Sequence, residues 1–354
     1  MLVAATGDDD DTGINKGAVY LFDGESAELL TTFSNQTPEG FDTFGFGDTP
    51  ITSIGDIVLI GNTRAGLPGE AYGFDGNPAS PTLGELLVPI PNPVGGDFFG
   101  GDIVTSGSVI AIGADGGQHQ AENRSGIVAL YQFDPQGKVL AGAPTIIENP
   151  TDDTRVGFGL HMAISDTLLV VAANGQTVNG NLGAGVAHVY DANSSSLKLG
   201  QHLITLENPN PTPMTSEGFG AAVEIVGSLI AVSTFNHDPG DGDNNGTVYI
   251  FDGDPQSATF GNLLHDIRNP GEQFNFGLDM VAIGNLLAVG GSESVDIVDP
   301  ATGNLVHPID PPPDGGGSFG RSVAATENGN LVVGAPFASN VAIGDGVVYL
   351  LQGP

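Results

Sequence analysis

The side chains with the sharpest chemical pattern are oxygen ligands spaced for a divalent cation. Asp241, Asp243 and Asn245 stand at alternate positions of the segment DGDNNG, and Gly246 closes it. This spacing and the turn-forming glycine match the first half of an EF-hand calcium loop. Asp252 falls at the twelfth position, where an EF-hand has a bidentate glutamate, but it lies beyond a predicted strand. The segment predicts a calcium site, with a solvated acidic turn as the alternative.

A looser copy of this pattern lies near the start of the chain. The segment DDDDTG carries Asp8 and Asp10 at alternate positions before Gly13, in the equivalent loop of another repeat. Alternating carboxylates before a glycine again suit calcium. The same two interpretations therefore apply, a calcium site or a solvated acidic turn.

Patterns that could support catalysis are weaker. The segment GGSFG at 316–320 matches a nucleophile-elbow pattern, but it lies at the start of a repeat and not between a strand and a helix. Of the seven histidines, only His237 stands in an acidic loop as a candidate ligand, whereas His161, His188 and His265 are predicted to pack in or beside strands. Carboxylates are abundant enough to supply a paired acid and base, so a carbohydrate-active enzyme is kept as an alternative function.

The charge of the chain excludes several classes of partner. Its 354 residues include 8 Lys and Arg against 42 Asp and Glu, a formal net charge of −34. Nucleic acid is excluded as a partner because there is no basic patch to neutralise phosphates. Anionic lipid is disfavoured for the same reason. Because 40% of the residues are hydrophobic, we expect a folded body with an acidic surface, suited to a saline or calcium-rich medium.

Cysteine content and hydropathy bear on location. The chain has no cysteine, so disulfides and thiolate metal sites are excluded. No stretch has the length of a transmembrane helix, and we expect no membrane insertion. The chain begins in mid-repeat, and its first residues lack the basic start and apolar run of a signal peptide. We expect an extracellular or cell-surface protein whose native signal sequence is not present in this chain, with cytoplasmic residence as the alternative.

An internal repeat organises almost the whole chain. Six Phe-Gly pairs open the repeats, at Phe44-Gly45, Phe99-Gly100, Phe158-Gly159, Phe219-Gly220, Phe276-Gly277 and Phe319-Gly320. Because the phenylalanines recur in every repeat, we interpret them as core between repeats and not as a sugar-stacking surface. The repeat units are predicted at 1–43, 44–98, 99–157, 158–218, 219–275, 276–318 and 319–354.

Each unit is predicted to be a four-stranded antiparallel sheet. A very short Gly-containing or Asp-containing turn joins the first two apolar segments, as in Gly55-Asp56 and Gly107-Ser108. The second segments are continuously apolar, which indicates burial on both faces. Four strands in about 55 to 60 residues favour a single β-propeller, with seven blades predicted and six as the alternative. The first unit is expected to lack its first strand and the last unit its fourth.

The repeats resemble FG-GAP repeats, which form the propellers of integrin α-chains and of bacterial surface proteins. The resemblance rests on the Phe-Gly pairs and on Gly334-Ala335-Pro336, and it covers essentially the whole chain. It implies a propeller fold and an extracellular binding role. Integrin-like propellers carry calcium between the first two strands of some blades, where this chain has only a short turn. Sites of the integrin type are therefore expected to be absent.

The loops between second and third strands, and the connections to the next unit, should emerge on one face because strand direction alternates. This acidic loop face would receive Asp8 to Asp11, Glu39, Asp42, Asp97, Asp115, Asp152, Asp153, Asp238, Asp241, Asp243, Glu272 and Asp314. Its negative potential favours a cationic, calcium-bridged or hydroxyl-rich partner, either protein or glycan.

Three functions remain open at this point. The first is a non-catalytic extracellular propeller that mediates adhesion or binding through the acidic loop face, with calcium as the expected cofactor if there is one. The second is a structural subunit of a surface layer or filament, self-assembled by strands donated between neighbours. The third is a carbohydrate-active enzyme that uses paired carboxylates.

Overall fold

The computed structural model describes residues 1–6, 17–34, 43–45, 50–63, 69–95, 98–115, 126–134, 137–151, 153, 156–211, 218–235, 246–270, 275–313, 317–338 and 346–353. Within these ranges the chain forms strands and turns and no helix. It divides into two compact units. Unit 1 comprises Met1–Ala173 and Val189–Leu203, and unit 2 comprises Asn174–His188 and Ile204–Pro354.

The strands in these ranges form seven sheets, numbered here in chain order. Sheet 1 contains β1 (Leu2–Ala5), β2 (Ala18–Phe22) and β3 (Leu29–Ser34). Sheet 2 contains β4 (Thr43–Phe44), β5 (Ile51–Ile54), β6 (Ile57–Thr63), β7 (Glu70–Asp75) and β8 (Leu86–Ile90). Sheet 3 contains β9 (Ile103–Ser106), β10 (Val109–Ala114), β11 (Ile127–Asp134), β12 (Val139–Leu140) and β13 (Thr145–Glu148).

Sheet 4 contains β14 (Met162–Ile164), β15 (Leu168–Ala173), β16 (Val186–Asp191) and β17 (His202–Glu207). Sheet 5 contains β18 (Val223–Val226), β19 (Leu229–Thr234), β20 (Thr247–Asp252) and β21 (Leu263–Arg268). Sheet 6 contains β22 (Asp279–Ile283), β23 (Leu286–Gly290), β24 (Val295–Asp299) and β25 (Asn304–Ile309). Sheet 7 contains β26 (Ser322–Ala325), β27 (Leu331–Ala335) and β28 (Val347–Leu351).

The chain is a seven-bladed β-propeller in which each sheet is one blade of antiparallel strands. Strands that follow each other along the chain pair with each other, as they do in sheets 4, 5 and 6. The predicted fold class is confirmed, and the alternative of six blades is wrong. In the described residues sheets 1 and 7 have three strands each, so the predicted lack of a first strand in the first blade and of a fourth in the last is also confirmed.

The strand sequences account for how fully the second strands are buried. All residues of β6, β10 and β15 are buried, as their continuous apolar runs predict. The predicted short turns lie between the first and second strands, and Gly55 and Gly107 adopt a φ of 57° in them. A positive φ at this position is easy for glycine and strained for other residues.

The Phe-Gly pairs form the contact between successive blades. All six phenylalanines are buried, which confirms that they are core and not a sugar-stacking surface. The N–H of Gly159 donates to the carbonyl oxygen of Ala172 in its own blade at 3.2 Å. On its other side the pair meets the main chain of the preceding blade. A Cβ added to Gly113 would lie 1.9 Å from the Gly159 oxygen, and one added to Gly126 would lie 2.4 Å from the Phe158 oxygen.

The same contact between a Phe-Gly pair and the preceding blade recurs along the chain, in both compact units. Main-chain oxygens of a Phe-Gly pair approach small residues of the preceding blade at Gly17, Gly61, Gly69, Gly185, Gly246 and Gly290. In the fifth blade Ser233 replaces the second-strand glycine, and its Cβ lies 2.7 Å from the position of a Cβ on Gly277. The contact therefore requires a small residue in the second strand, and glycine only where the approach is closest.

This contact predicts the effect of one added methyl group. Gly113→Ala should lower the free energy of unfolding by about 1 to 3 kcal/mol, because the Gly159 carbonyl must move to admit the methyl. Denaturant titration followed by circular dichroism measures the change. Gly24→Ala is the control, since nothing lies within 4 Å of its added Cβ, and it should change stability by less than about 0.5 kcal/mol. Equal stability of the two variants would contradict the contact.

Candidate functional site

The two ends of each sheet carry different connections. We call the loop end the one from which the second strand leads to the third, at residues 6–17, 64–69, 115–126, 174–185, 235–246, 291–294 and 336–346. The turn end is the opposite one, with the turns between first and second strands and the loops between third and fourth strands. The sequence analysis predicts its acidic residues for the loop end.

The predicted metal ligands lie outside the described residues. This holds for Asp8, Asp10, Asp241, Asp243 and Asn245. Calcium binding by these loops therefore stays a prediction. Within the part of the chain that the structure describes, no group of three or more His, Asp and Glu side chains could hold a metal ion.

Other candidates also fall partly outside these ranges. His237 is not described, and among the acidic residues predicted for the loop face only Asp115 and Asp153 are. Asp252 is described, and it lies at the turn end, whereas residues 241–246 precede the other end of β20. Asp252 is the last residue of β20, so the strand separates it from that segment, as expected from the sequence.

The loop end of sheet 4 is a small hairpin held by a buried histidine. Asn179 and Gly180 have φ of 51° and 85°, and Val178 and Asn181 on either side exchange N–H to carbonyl hydrogen bonds of 3.1 and 2.9 Å. This geometry gives the two positive φ angles of a hairpin turn to residues that tolerate them.

His188 connects this hairpin loop to the fourth strand of its sheet. It is buried, its Nε2 lies 3.2 Å from Gln176 Oε1, and its Nδ1 lies 2.9 Å from Thr205 Oγ1. His188 is thus a core histidine, as predicted, and both of its ring nitrogens have hydrogen-bond partners.

The loop end of sheet 6 is built quite differently. Its second and third strands are joined by four residues, and the N–H of Gly291 donates to the carbonyl oxygen of Ser294 at 3.1 Å. Asn275, with a φ of 62°, donates from Nδ2 to Ser292 Oγ at 2.8 Å. Two blades of the same repeat therefore present unrelated surfaces at this end.

At the turn end, in contrast, one arrangement recurs in several blades. In sheet 2 the Oδ2 atom of Asp75 accepts hydrogen bonds from Ser80 Oγ at 2.5 Å and Thr82 Oγ1 at 2.6 Å. Its Oδ1 atom accepts from the N–H of Asn77 at 3.0 Å, and its carbonyl oxygen from the N–H of Gly84 at 2.8 Å. One aspartate thus organises the whole loop between the third and fourth strands.

Sheet 5 repeats these contacts atom for atom. Asp252 Oδ2 accepts from Ser257 Oγ and Thr259 Oγ1, each at 2.6 Å, and Oδ1 accepts from the N–H of Asp254 at 3.0 Å. The N–H of Gly261 donates to the Asp252 carbonyl oxygen at 2.7 Å. We call this arrangement the aspartate turn.

Simpler versions of the aspartate turn occur in three more sheets, with Asp23 bonded to Ser26, Asp191 to Ser196 and Asp299 to Thr302. In sheets 3 and 7 a glutamine, Gln132 or Gln352, stands at the aligned position. Sequence analysis missed this turn, although the spacing in DGNPASPTLG and DGDPQSATFG shows it. The five aspartates of these turns therefore have structural roles.

The aspartate turn also changes how its carboxylates titrate. Hydrogen bonds from Ser257, Thr259 and the N–H of Asp254 hold the pKa of Asp252 below its ordinary value. For Asp75, desolvation raises the pKa, but hydrogen bonds from Ser80 and Thr82 outweigh it and the pKa is lowered. These bonds favour the ionised form because they are donated to it.

Carboxylates of the first strands connect one blade to the next. Buried Asp102 accepts a hydrogen bond on Oδ2 from the N–H of Met162, in the first strand of the following blade, at 2.6 Å. Asp279 makes the corresponding contact to the N–H of Val323 at 2.7 Å. A buried main-chain donor without an acceptor is costly, and each carboxylate satisfies one.

Glu224 makes the same kind of connection from β18 to the N–H of Ala282 in the next blade, and it also accepts from the N–H of Ile225. Desolvation raises its pKa from an ordinary value of 4.5 to about 7, and nearby Asp279 adds to the rise. Glu224 is therefore a structural carboxyl in which the donated hydrogen bonds favour the ionised form, while desolvation has the larger effect and raises the pKa.

Comparison by sequence finds no matching family, since no protein-family model and no curated protein match the chain. Comparison of folds finds solved structures that are similar to it. One is a chain of a structure titled "Crystal Structure of Mitotic Checkpoint Complex", at 16% identity and a TM-score of 0.52. The match covers 86% of this chain and 76% of that chain. At this identity the likeness supports the propeller fold alone.

No helix in the described ranges is long and apolar enough to cross a membrane.

The aspartate turn predicts a titration that two substitutions should change. In the native chain the Asp252 carboxyl should titrate below the ordinary pKa of aspartate. In Ser257→Ala/Thr259→Ala its pKa should rise towards that value, because the donors to Oδ2 are lost. Carboxyl-detected NMR measures both, and Asp75, in a turn that keeps its donors, should not move in the variant. An unchanged Asp252 pKa in the variant would refute the role given to the two hydroxyls.

Glu224 predicts a defined pH dependence of stability. Because its folded-state pKa is raised, the folded chain holds one proton more than the unfolded chain between pH 4.5 and about 7, so the contribution of Glu224 to stability falls as pH rises through that window. Glu224→Gln keeps an acceptor and removes the titration. Its melting temperature relative to the native chain should rise by a few degrees from pH 4.5 to 7 and then stay level. Glu148→Gln, in exposed β13, controls for the loss of one negative charge.

Proposed function

We propose that this chain is a non-catalytic, extracellular propeller of the FG-GAP type that binds a protein or glycan partner through its acidic loop end, with calcium supporting the contact. One observation carries the proposal, the contrast between the two ends of the blades. Five blades have an aspartate turn, complete or simpler, at the turn end, whereas the two loop-end connections that the structure describes in full differ in length and structure. Binding residues are concentrated on variable loops that a rigid scaffold positions.

The charge distribution supports the same end. Five aspartates of the turn end are held in aspartate turns, and Asp102, Asp279 and Glu224 accept hydrogen bonds from the main chain of the next blade. These carboxylates have structural roles within the fold. The remaining acidic loops at the other end are the part of the −34 charge that can attract a partner. A cationic protein, or a hydroxyl-rich glycan bridged by calcium, suits such a surface.

The six Phe-Gly pairs support membership of the FG-GAP group. Their phenylalanines are buried, and their main-chain oxygens lie against small residues of the preceding blade. This close packing gives a physical reason for the repeated Phe-Gly pair. An extracellular location follows from the resemblance and from the acidic composition, which suits a medium with millimolar calcium. A propeller scaffold hosts many functions, so the binding role depends on the loops and not on the fold.

Calcium is the first thing to test. Thermal unfolding in excess calcium and in chelator, at constant high ionic strength, should differ by several degrees because ligand binding to the folded state alone stabilises it. Asp241→Ala/Asp243→Ala should abolish the difference. Asp266→Ala/Glu207→Ala, which removes the same charge from exposed positions on fourth strands, should retain it.

Two outcomes would contradict this proposal. If calcium and chelator give the same unfolding temperature, the acidic loops are solvated surface and calcium has no part in binding. If the chain hydrolyses or eliminates a glycan, and one Asp or Glu substitution abolishes that turnover, the carbohydrate-active alternative replaces the binding role.

A further inference from the structure

The turn between the third and fourth strands of sheet 4 carries an N-glycosylation sequon. Asn193-Ser194-Ser195 fits the pattern Asn-x-Ser/Thr, in which x is not proline. The chain has three more sequons, whose asparagines lie outside the described residues, at Asn35-Gln36-Thr37, Asn123-Arg124-Ser125 and Asn245-Gly246-Thr247. Asn193 is therefore the candidate acceptor whose surroundings the structure shows.

Asn193 belongs to the aspartate turn of sheet 4, which uses its side-chain oxygen and leaves its amide nitrogen free. The main-chain N–H of Asn193 donates to Asp191 Oδ1, and Asn193 Oδ1 accepts from the N–H of Ser195, each at 2.9 Å. The second bond closes an Asx turn. Within the described residues Asn193 Nδ2 donates no hydrogen bond, and all three residues of the sequon are exposed.

Two other sheets have the same Asx turn without a sequon. Asn77 Oδ1 accepts from the N–H of Ala79, and Asp254 Oδ1 from the N–H of Gln256, each at 2.9 Å. An aspartate serves in sheet 5, so the turn requires an oxygen and no amide nitrogen. In sheet 2 the asparagine is followed by proline, and its Nδ2 donates to Asp56 Oδ2 at 3.0 Å. Of these three turns, the one in sheet 4 alone combines a free amide nitrogen with a hydroxyl two residues later.

An apolar hollow borders the sequon. The carbonyl oxygen of Ser194 accepts from Gln132 Nε2, in sheet 3, at 3.0 Å. Gln132 also lines a hollow of about 270 Å³, together with Leu130, Leu197 and Leu199, and all of the residues that line it are uncharged. Leu197, in the same turn as the sequon, is 105% exposed. Apolar walls with a few polar groups suit a small uncharged group such as a sugar ring with its acetamido substituent.

We infer that Asn193 is an acceptor for an N-linked glycan in the folded chain, and that the first sugars of this glycan lie over Leu197 and the adjoining hollow. The inference rests on the extracellular location proposed above, because such glycans are added to surface loops of secreted proteins. The glycan would stand at the turn end of sheet 4. The acidic loop end would therefore remain open to its partner.

The transfer requires an oligosaccharide linked to a lipid diphosphate as the donor. The bond between C1 of the first sugar and the phosphate oxygen breaks, and the lipid diphosphate leaves with the bonding electron pair. C1 forms a new bond to Asn193 Nδ2, which releases one proton to the solvent. The Ser195 hydroxyl is the third element of the sequon that the transferring enzyme recognises.

The test uses the folded, isotope-labelled full chain with a purified oligosaccharyltransferase and its lipid diphosphate-linked oligosaccharide. Site-specific mass spectrometry should find the oligosaccharide on Asn193. A peptide copying Asp191–Leu199 serves as an accessible reference substrate for the enzyme. In the modified chain the methyl NMR signals of Leu197 should shift. Those of Leu305, which is 42% exposed in sheet 6, should not.

Three variants separate the sequon from the turn that holds it. Ser195→Ala should lower the occupancy of Asn193 at least about tenfold, because it removes the hydroxyl of the sequon, and Ser195→Thr should retain the occupancy. Asn193→Asp should abolish transfer at this position and preserve the turn, since Asp254 makes the same contact in sheet 5. All three variants should melt as the native chain does, because these side chains are exposed and the Asx turn is kept.

Several results would overturn the inference. These are the absence of transfer to Asn193 in the folded chain, whether or not the peptide is modified, equal occupancy in Ser195→Ala, or unshifted Leu197 methyl signals in the modified chain. The calcium experiment on the loop end is read separately. If transfer fails while calcium still raises the unfolding temperature, this inference alone is wrong. If transfer succeeds while calcium has no effect, the role of calcium in the proposed function is wrong.

Discussion

The structure depends on a contact between main chains of successive blades. A Phe-Gly pair places its carbonyl oxygens against the backbone of the preceding blade, so closely that a Cβ on Gly113 would lie 1.9 Å from the nearest oxygen. Small residues are therefore needed at two points of each blade, one in the second strand and one before the third. With the backbones this close, the phenylalanine is buried between blades and the second strands lose contact with water on both faces. The buried strands, and hence the blades, follow from that spacing.

Acidic residues at the turn end of the blades have structural roles. At the turn end, one aspartate can organise a ten-residue loop, as Asp75 and Asp252 do through two hydroxyls and a main-chain N–H each. The conformation of such a loop is fixed by its own hydrogen bonds, so its sequence can vary little. At the loop end, the two connections that the structure describes in full, the hairpin at 174–185 and the four-residue turn at 291–294, share no contact pattern. A chain built this way can alter one end without disturbing the other.

Most of the fold could be predicted from the sequence, and most of the site could not. The Phe-Gly period, the apolar second strands and the short turns are local patterns, so the seven blades and the incomplete first and last sheets followed from them. The aspartate turn was also readable, but its residues lie five and seven positions beyond Asp75 and resemble an ordinary polar loop. The contact from Asp102 to the N–H of Met162 could not be read at all, because its acceptor and donor are 60 residues apart and the donor is main chain.

The carboxylate contacts between first strands have a consequence for how this chain can change over time. Asp102 and Asp279 each accept from an N–H group, which every residue except proline possesses. The neighbouring blade therefore meets the requirement through its backbone, whatever side chain it carries there, as Met162 and Val323 illustrate. A duplicated blade inserted next to another would find its partner group already present. Copies can then drift apart in sequence without matched changes across their junctions, which suits an array grown by duplication.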